Sequence, residues 1–526
     1  MFHFMSHLLK LTTLLLALAF MPLAHAKTTE TVYDIVLTGG RVIDPETGLD
    51  AIRNVGMQGN TIAVITAEAI TAKRIIDVRG LVVSPGFIDM HAHGQSILSG
   101  RVQAFDGVTT ALELESGTYP VADFYATRTA EGRPINYGAS VNWLGTRLAA
   151  VLDMEPKGNA DWFAAAMNRQ GWQNSIATPD QLAEIEARVA EGLDEGGLGV
   201  GFLTGYAPGS GYKEYYAVSK LAAARKAPTF THARYLSMAE PESSFEAMQE
   251  IVAVAASTGV QAHIVHMNSI SLKDIRLIGE MIRGAQERGA KISTEAYPYG
   301  AGATSIGAAM FRGEGWRERI GGITAESFVV DGQRLNEETF TRLQNEAPST
   351  GIIIHFLDTE KPEDQALLDY SMLFPDGVIA SDGGDWTIAG EPIADDVWPL
   401  PEEAWSHPRS AGTYMRFISQ YARERGLISL PEAIRRVSYG PASILESYVP
   451  QMRRKGRLQE GADADIVVFD FDEIRDAATF EQPAQLSQGV KYLLVNGQPL
   501  IDNGELNESL LPGQPVRNNP IKATRY

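Results

Sequence analysis

Eight short apolar runs, near residues 83–91, 107–115, 135–143, 197–204, 227–232, 260–266, 291–297 and 377–382, alternate with stretches whose apolar residues recur every three or four positions. The stretches at 180–194 and 431–447 show that helical period best. Strand–helix alternation predicts a parallel sheet, because each crossover helix brings the chain back to run in the same direction. The expected fold is therefore α/β: a (β/α)8 TIM-type barrel, whose functional groups lie at the C-terminal ends of its strands. The segment 300–376 is too long for a simple connection between the last two strands. It reads as an insertion covering the barrel mouth.

Both flanks are β-rich. Residues 31–44 alternate and turn at Gly39-Gly40, and a Gly59-Asn60 turn follows; residues 464–470 and 490–504 repeat the pattern at the far end. The two ends are expected to meet in one small β-sandwich, with 27–82 as its first part, 83–450 as the barrel and 451–526 as its second part and tail. Residues 1–26 read as a signal peptide: Lys10, an apolar core from Leu14 to Ala24, and Ala24-His25-Ala26 before Lys27. The mature chain is expected in the periplasm or outside the cell. No later run reaches the roughly 18 apolar residues of a spanning helix, so no membrane span is expected once the leader is removed. The chain has no cysteine, which rules out both disulfides and thiolate ligands. Its net charge of −20 argues against nucleic acid as a partner, since like charges repel.

The strand ends carry the chemistry. The first apolar run closes on His91-Ala92-His93, and side chains two apart on a strand share a face, so both imidazoles can grip one divalent metal. Later runs close on His232, His266 and Asp382. The order His-x-His, His, His, Asp is the pattern of a metal-dependent hydrolase on a barrel. In strand two, Glu113 and Glu115 face away from Leu112 and Leu114, and two inward carboxylates are costly unless paired or metal-bound. The fourth run, 197–204, has no lysine to carboxylate as a metal bridge, which leaves a strand-two glutamate for that role. Glu115, nearer the strand's end, is favoured; Glu113 is its hydrogen-bonding neighbour or itself the ligand. His263, three residues before His266, is expected on the opposite face as a core histidine. His355 falls in the insertion and at most supports a ligand.

These motifs resemble the D-aminoacylase (N-acyl-D-amino-acid deacylase) branch of the metal-dependent amidohydrolase superfamily. The matching segments include Pro85-G-F-I-D-M-H-A-H, Q103-A-F-D-G-V-T-T, E295-A-Y-P-Y-G-A-G-A-T and H407-P-R-S-A-G-T, over about residues 31 to 500. The resemblance implies hydrolysis of a linear amide, an N-acyl-D-amino acid, by metal-activated water with Asp382 as general base and acid. It implies one zinc held tightly by His232, His266 and a strand-two ligand, with a second position near His91, His93 and Asp382. It also places Tyr206, Tyr297, Arg409 and Asn268 against a small-molecule substrate, with Arg409 on its carboxylate. Two departures bear on that substrate: Asn268 stands where the family has lysine, and Ala303 where it has serine. A dipeptidase or cyclic-amide hydrolase would use the same metals with another pocket. An exported binding protein without catalysis is the reading from outside the enzymes.

Overall fold

The structure is a computed structural model and describes residues 32–158, 160–395 and 397–520; the expected leader lies outside these residues. Eight parallel strands follow one another in space as in sequence: β1 (Phe87–Asp89), β2 (Val108–Thr118), β3 (Asn136–Asn142), β4 (Val200–Leu203), β5 (Thr229–His232), β6 (Ala262–Ile264), β7 (Ile292–Ala296) and β8 (Val378–Ile379). The ring closes where Ala92 bridges Gly383, with Asp382 N donating to His91 O and His93 N to Gly383 O, each at 2.8 Å. The helices between strands start where the local sequence supplies caps. Thr178 and Gln181 form a capping box on Pro179–Asp194, and Ser243 with Glu246 does the same for Ser244–Thr258, which ends at left-handed Gly259. The stretch 431–447, expected as one helix, is two, Leu430–Val437 and Tyr439–Leu445. Pro441 has no amide hydrogen to offer the Val437 carbonyl, and the chain breaks at Ser438.

Both chain ends build one nine-stranded sheet beside the barrel. Its long strand Val32–Asp44 bulges at Gly39–Gly40; the first half pairs with Thr71–Asp77 and the second with Val82–Pro85. A Cβ at Gly40 would lie 2.6 Å from Val83 Cγ2, so only glycine allows that approach. Leu37, Val55, Ile62, Val83, Ile466 and Leu494 share its buried core.

The run 83–91, expected as one strand, is divided between these two bodies. Val82–Pro85 pairs antiparallel with Ile466–Phe469, whereas Phe87–Asp89 enters the barrel. Gly86 is the crossing point: its amide donates to Asp465 O, and a Cβ there would stand 2.2 Å from Thr109 Oγ1.

Between β7 and β8 the inserted segment forms a four-stranded antiparallel sheet (Ala301–Ser305, Gly351–His355, Phe328–Val330, Gln333–Arg334) over its own core of Phe311, Phe328, Phe340 and Ile354. The covering part is shorter than 300–376, because Pro362–Met372 packs back against the barrel as the ordinary helix preceding β8. Among the described residues no helix is long and apolar enough to cross a membrane.

Candidate metal centre and active site

The strand ends converge. His91 and His93 follow β1, and His232 is the last residue of β5. His266 and Asp382 lie just past β6 and β8 with φ of 31° and 52°. Such backbone is costly for a residue with a Cβ, and here it turns both side chains to the same centre.

Glu115 stands in the middle. Its Oε1 is 2.8 Å from both His232 Nδ1 and His266 Nε2, which are 3.1 Å from each other. Its Oε2 is 3.2 Å from His91 Nε2 and 3.4 Å from His93 Nε2, and these two nitrogens are 3.2 Å apart. One carboxylate thus joins two groups of three donors, His91–His93–Glu115 and Glu115–His232–His266, all near enough to hold an ion each. Imidazoles and carboxylate are the donors divalent zinc accepts, and the remaining ring nitrogens, His232 Nε2 and His266 Nδ1, are buried with no hydrogen-bond partner. The residues fit such ions. Gly205 makes room for the His232 ring: a Cβ there would lie 2.4 Å from His232 Cδ2.

Further carboxylates set the ring orientations. Glu113, the alternative ligand in the sequence reading, stands behind the centre: it accepts from His93 Nδ1 at 2.7 Å and from Ser116 N. Glu295, which the sequence reading missed, accepts from His91 Nδ1 at 2.5 Å and from His263 Nε2 at 3.0 Å. His263 is buried and bonded at both nitrogens, the other to Ser293 Oγ at 2.8 Å, as a core histidine should be, but through Glu295 it also supports the centre. Counting faces from His266 fails because β6 ends at Ile264 and the left-handed turn at His266 breaks the alternation. The available signal for Glu295 was a lone acid in an apolar strand just before Tyr297-Pro298-Tyr299.

Asp382 Oδ1 lies 3.3 Å from His93 Nε2 and 3.4 Å from His91 Nε2, while Oδ2 lies 2.9 Å from Arg409 Nη1. Burial opposes its charge, but Arg409 and then His91 hold the carboxyl well below its ordinary range. Glu115 is likewise held low against burial by His91 and His232. Burial also opposes charge on His91, yet Glu115, Asp382 and Glu295 together raise it well above the usual histidine value. His93 is raised in the same way, chiefly by Glu113. A centre that draws protons onto buried imidazoles is one that favours positive charge.

Above the centre the insertion roofs a narrow cavity of about 80 Å³. Tyr206 and Tyr297 line it; Tyr206 bonds Thr304 Oγ1 at 3.0 Å, and its ring lies 5.1 Å from that of His232. The rest of the wall is largely apolar, from Leu236, Ile270, Phe311, Ile323, Ile354 and Phe356. Arg409 is buried behind Asp382 and Tyr297, which line the cavity: its Nη1 is 2.9 Å from Asp382 Oδ2, its guanidinium is 4.5 Å from the Tyr297 ring centre, and its Nε has no hydrogen-bond partner. Asn268 also lies outside the cavity wall, its amide donating to Tyr297 O and Tyr299 O. His407 donates to Ala301 O and accepts from Arg409 N, which shapes the Arg409 turn. His355 sits away from the centre, against Phe480.

The amidohydrolase family model matches residues 74–501, most of the chain. The chain belongs to the amidohydrolase family. Curated relatives of this amidohydrolase include the N-acyl-D-glutamate deacylase of Alcaligenes xylosoxydans xylosoxydans, 26% identical over 88% of this chain and 93% of that protein. The D-aminoacylase of the same organism is 27% identical over 89% and 94%. Among solved structures, the N-acyl-D-glutamate deacylase of Bordetella bronchiseptica, complexed with zinc and a phosphonate mimic of the tetrahedral intermediate, superposes with a TM-score of 0.72 at 23% identity, covering 93% of this chain and all of that one. A D-aminoacylase described as having a binuclear metal centre gives the same TM-score at 24% identity, again over 93% of the amidohydrolase and 100% of that chain.

Proposed function

We propose that this amidohydrolase is an exported zinc enzyme that removes the acyl group from N-acyl-D-amino acids. The carrying observation is the placement of Glu115 between two histidine pairs, with Asp382 beside it, beneath an apolar cavity. The names of the similar deacylases support the substrate class, and the zinc in one of their structures supports the metal.

In this reading Glu115, His232 and His266 would hold the tighter ion, and His91 and His93 with Glu115 would hold a second. The chemistry supplied by bound zinc is a water nucleophilic near neutral pH and a polarised amide carbonyl. Asp382, kept ionised by Arg409, takes the proton of the attacking water and passes it to the leaving amine nitrogen. Tyr297 keeps its proton, because burial raises its pKa, and can donate a hydrogen bond to a substrate oxygen. Tyr206 and the apolar wall take the acyl group or a large side chain.

The test is hydrolysis by the zinc-loaded mature protein of paired N-acyl-D- and N-acyl-L-amino acids, with dipeptides and cyclic amides as controls. Turnover of the D-series supports the reading. Turnover of dipeptides or cyclic amides alone replaces it, and no turnover of any of them favours a binding protein.

A further inference from the structure

The segment Q103-A-F-D-G-V-T-T carries part of the family resemblance, yet none of its residues belongs to either donor group or to the cavity wall. Asp106 ends the helix Ile97–Phe105 and is buried. All four groups that donate to it are uncharged. Its Oδ2 accepts from Thr413 N at 2.8 Å and Tyr414 N at 2.7 Å, and its Oδ1 from Met415 N at 3.0 Å and Ser487 Oγ at 2.7 Å. Burial pushes the Asp106 pKa up to about 7, so its charge is costly to keep in this place. A carboxylate alone offers two oxygens that each accept twice, with no hydrogen to meet these donors.

The three amides begin the helix that follows the turn carrying Arg409. Thr413 Oγ1 donates back to Arg409 O at 3.0 Å, and Gly412 N to Pro408 O at 3.0 Å. Gly412 leaves the turn little room to drift: its carbonyl accepts from Tyr299 Oη, and a Cβ there would lie 2.6 Å from Asp476 Cβ. On the other side of Arg409, His407 donates to Ala301 O and accepts from Arg409 N. The turn is thus pinned by His407 before it and by Asp106 after it. Between these pins the guanidinium meets Asp382 at 2.9 Å.

We propose that Asp106 is a positioning residue of this enzyme: by gathering the amides of residues 413–415 it holds the turn that sets Arg409 against Asp382 and the Tyr297 ring. Ser487 brings the C-terminal part of the chain to the same carboxylate, so three stretches distant in sequence meet at Asp106. The kinetic consequence rests on the deacylase reading above; the placement of Arg409 does not.

A double-variant cycle in the zinc-loaded enzyme tests it: Asp106→Asn, Arg409→Met and the two together, acting on an N-acyl-D-amino acid, with thermal unfolding of each. Asparagine keeps the size but turns an amide NH2 toward two of the donors. Residues joined by one hydrogen-bond network couple, so Asp106→Asn should lower kcat/KM about tenfold alone and less than about twofold once Arg409 is replaced. The loss should fall on the same parameter, kcat or KM, that Arg409→Met changes, while the drop in Tm is equal in both backgrounds. Thr413→Val removes only the hydroxyl on Arg409 O; it should repeat the pattern more weakly, and it decides the matter if Asp106→Asn does not fold. An equal loss in both backgrounds, a loss on the other parameter or an unchanged kcat/KM overturns the proposal and leaves Asp106 a structural cap. Independently of activity, a crystal structure of Asp106→Asn, or of Thr413→Val in its place, should show Arg409 Nη1 withdrawn from Asp382, and an unmoved contact also overturns it. If the wild-type enzyme turns over no N-acyl amino acid, the deacylase reading falls, and this structural comparison alone decides the role of Asp106.

Discussion

Asp382 and Arg409 form a buried ion pair, Oδ2 to Nη1 at 2.9 Å, at the edge of the metal centre. The arginine that the family resemblance assigns to the substrate carboxylate here contacts the carboxylate to which the proposed function gives the proton transfer. Its first effect is on charge: it keeps Asp382 ionised. Replacing Arg409 by Met removes the largest of the influences that lower the Asp382 pKa, ahead of His91, so the pKa rises. Because the base must be ionised to act, the acidic limb of the kcat/KM profile should move to higher pH, and kcat should fall on the order of tenfold at neutral pH. A variant that raises only KM, with an unmoved acidic limb, would show that Arg409 serves the substrate instead.

Asp382→Asn should keep its metal yet lose amide hydrolysis by about 10²–10⁴-fold, the usual contribution of general acid–base catalysis. Metal analysis alongside single-turnover rates decides this. Near-normal rates in a metal-replete variant would remove Asp382 from the proton path.

Glu115 belongs to both donor groups, whereas each histidine belongs to one. Elemental analysis should therefore find two ions in the wild type, about one in His232→Ala and still less in Glu115→Ala. Glu295→Gln should weaken the His91–His93 position by roughly 10–100-fold, because the buried acceptor orienting His91 is lost. Full occupancy in Glu115→Ala would rule out a shared carboxylate.

Metal loading should release protons. With pKa values raised well above the ordinary histidine range, His91 and His93 are protonated at neutral pH before an ion arrives, and ligation requires them neutral. Affinity should consequently rise with pH up to those raised values and level off beyond them. Calorimetric titration in two buffers of different ionisation enthalpy counts the protons; a release of zero contradicts the electrostatics described here.

The expected leader gives a simpler test. Protein recovered from the cell envelope should begin at Lys27 by intact mass, and a chain beginning at Met1 would refute cleavage after Ala26.

The legible parts were those written into strand periodicity. His91, His93, His232, His266 and Asp382 end apolar runs, and the structure gathers all five. Glu115 was separable from Glu113 by its position nearer the strand end, and that order agrees with the geometry. What stayed hidden depends on contacts distant in sequence or on broken periodicity. Glu295 meets His91 across the barrel, and His263 reaches the same carboxylate because β6 stops short of His266. Nothing in His407-Pro408-Arg409 says that its guanidinium faces Asp382. The division at Gly86 was invisible because both halves of that run are apolar and extended.

That division orders assembly in time. Val82–Pro85, immediately upstream of the first two histidines, has Ile466–Phe469 as its antiparallel neighbour, a segment synthesised nearly a whole chain later. A polypeptide made from its N-terminus onward must hold this edge unpaired until almost everything else exists, and closing so long a loop is slow. His91 and His93 therefore follow directly on a strand whose second neighbour arrives only near the end of synthesis.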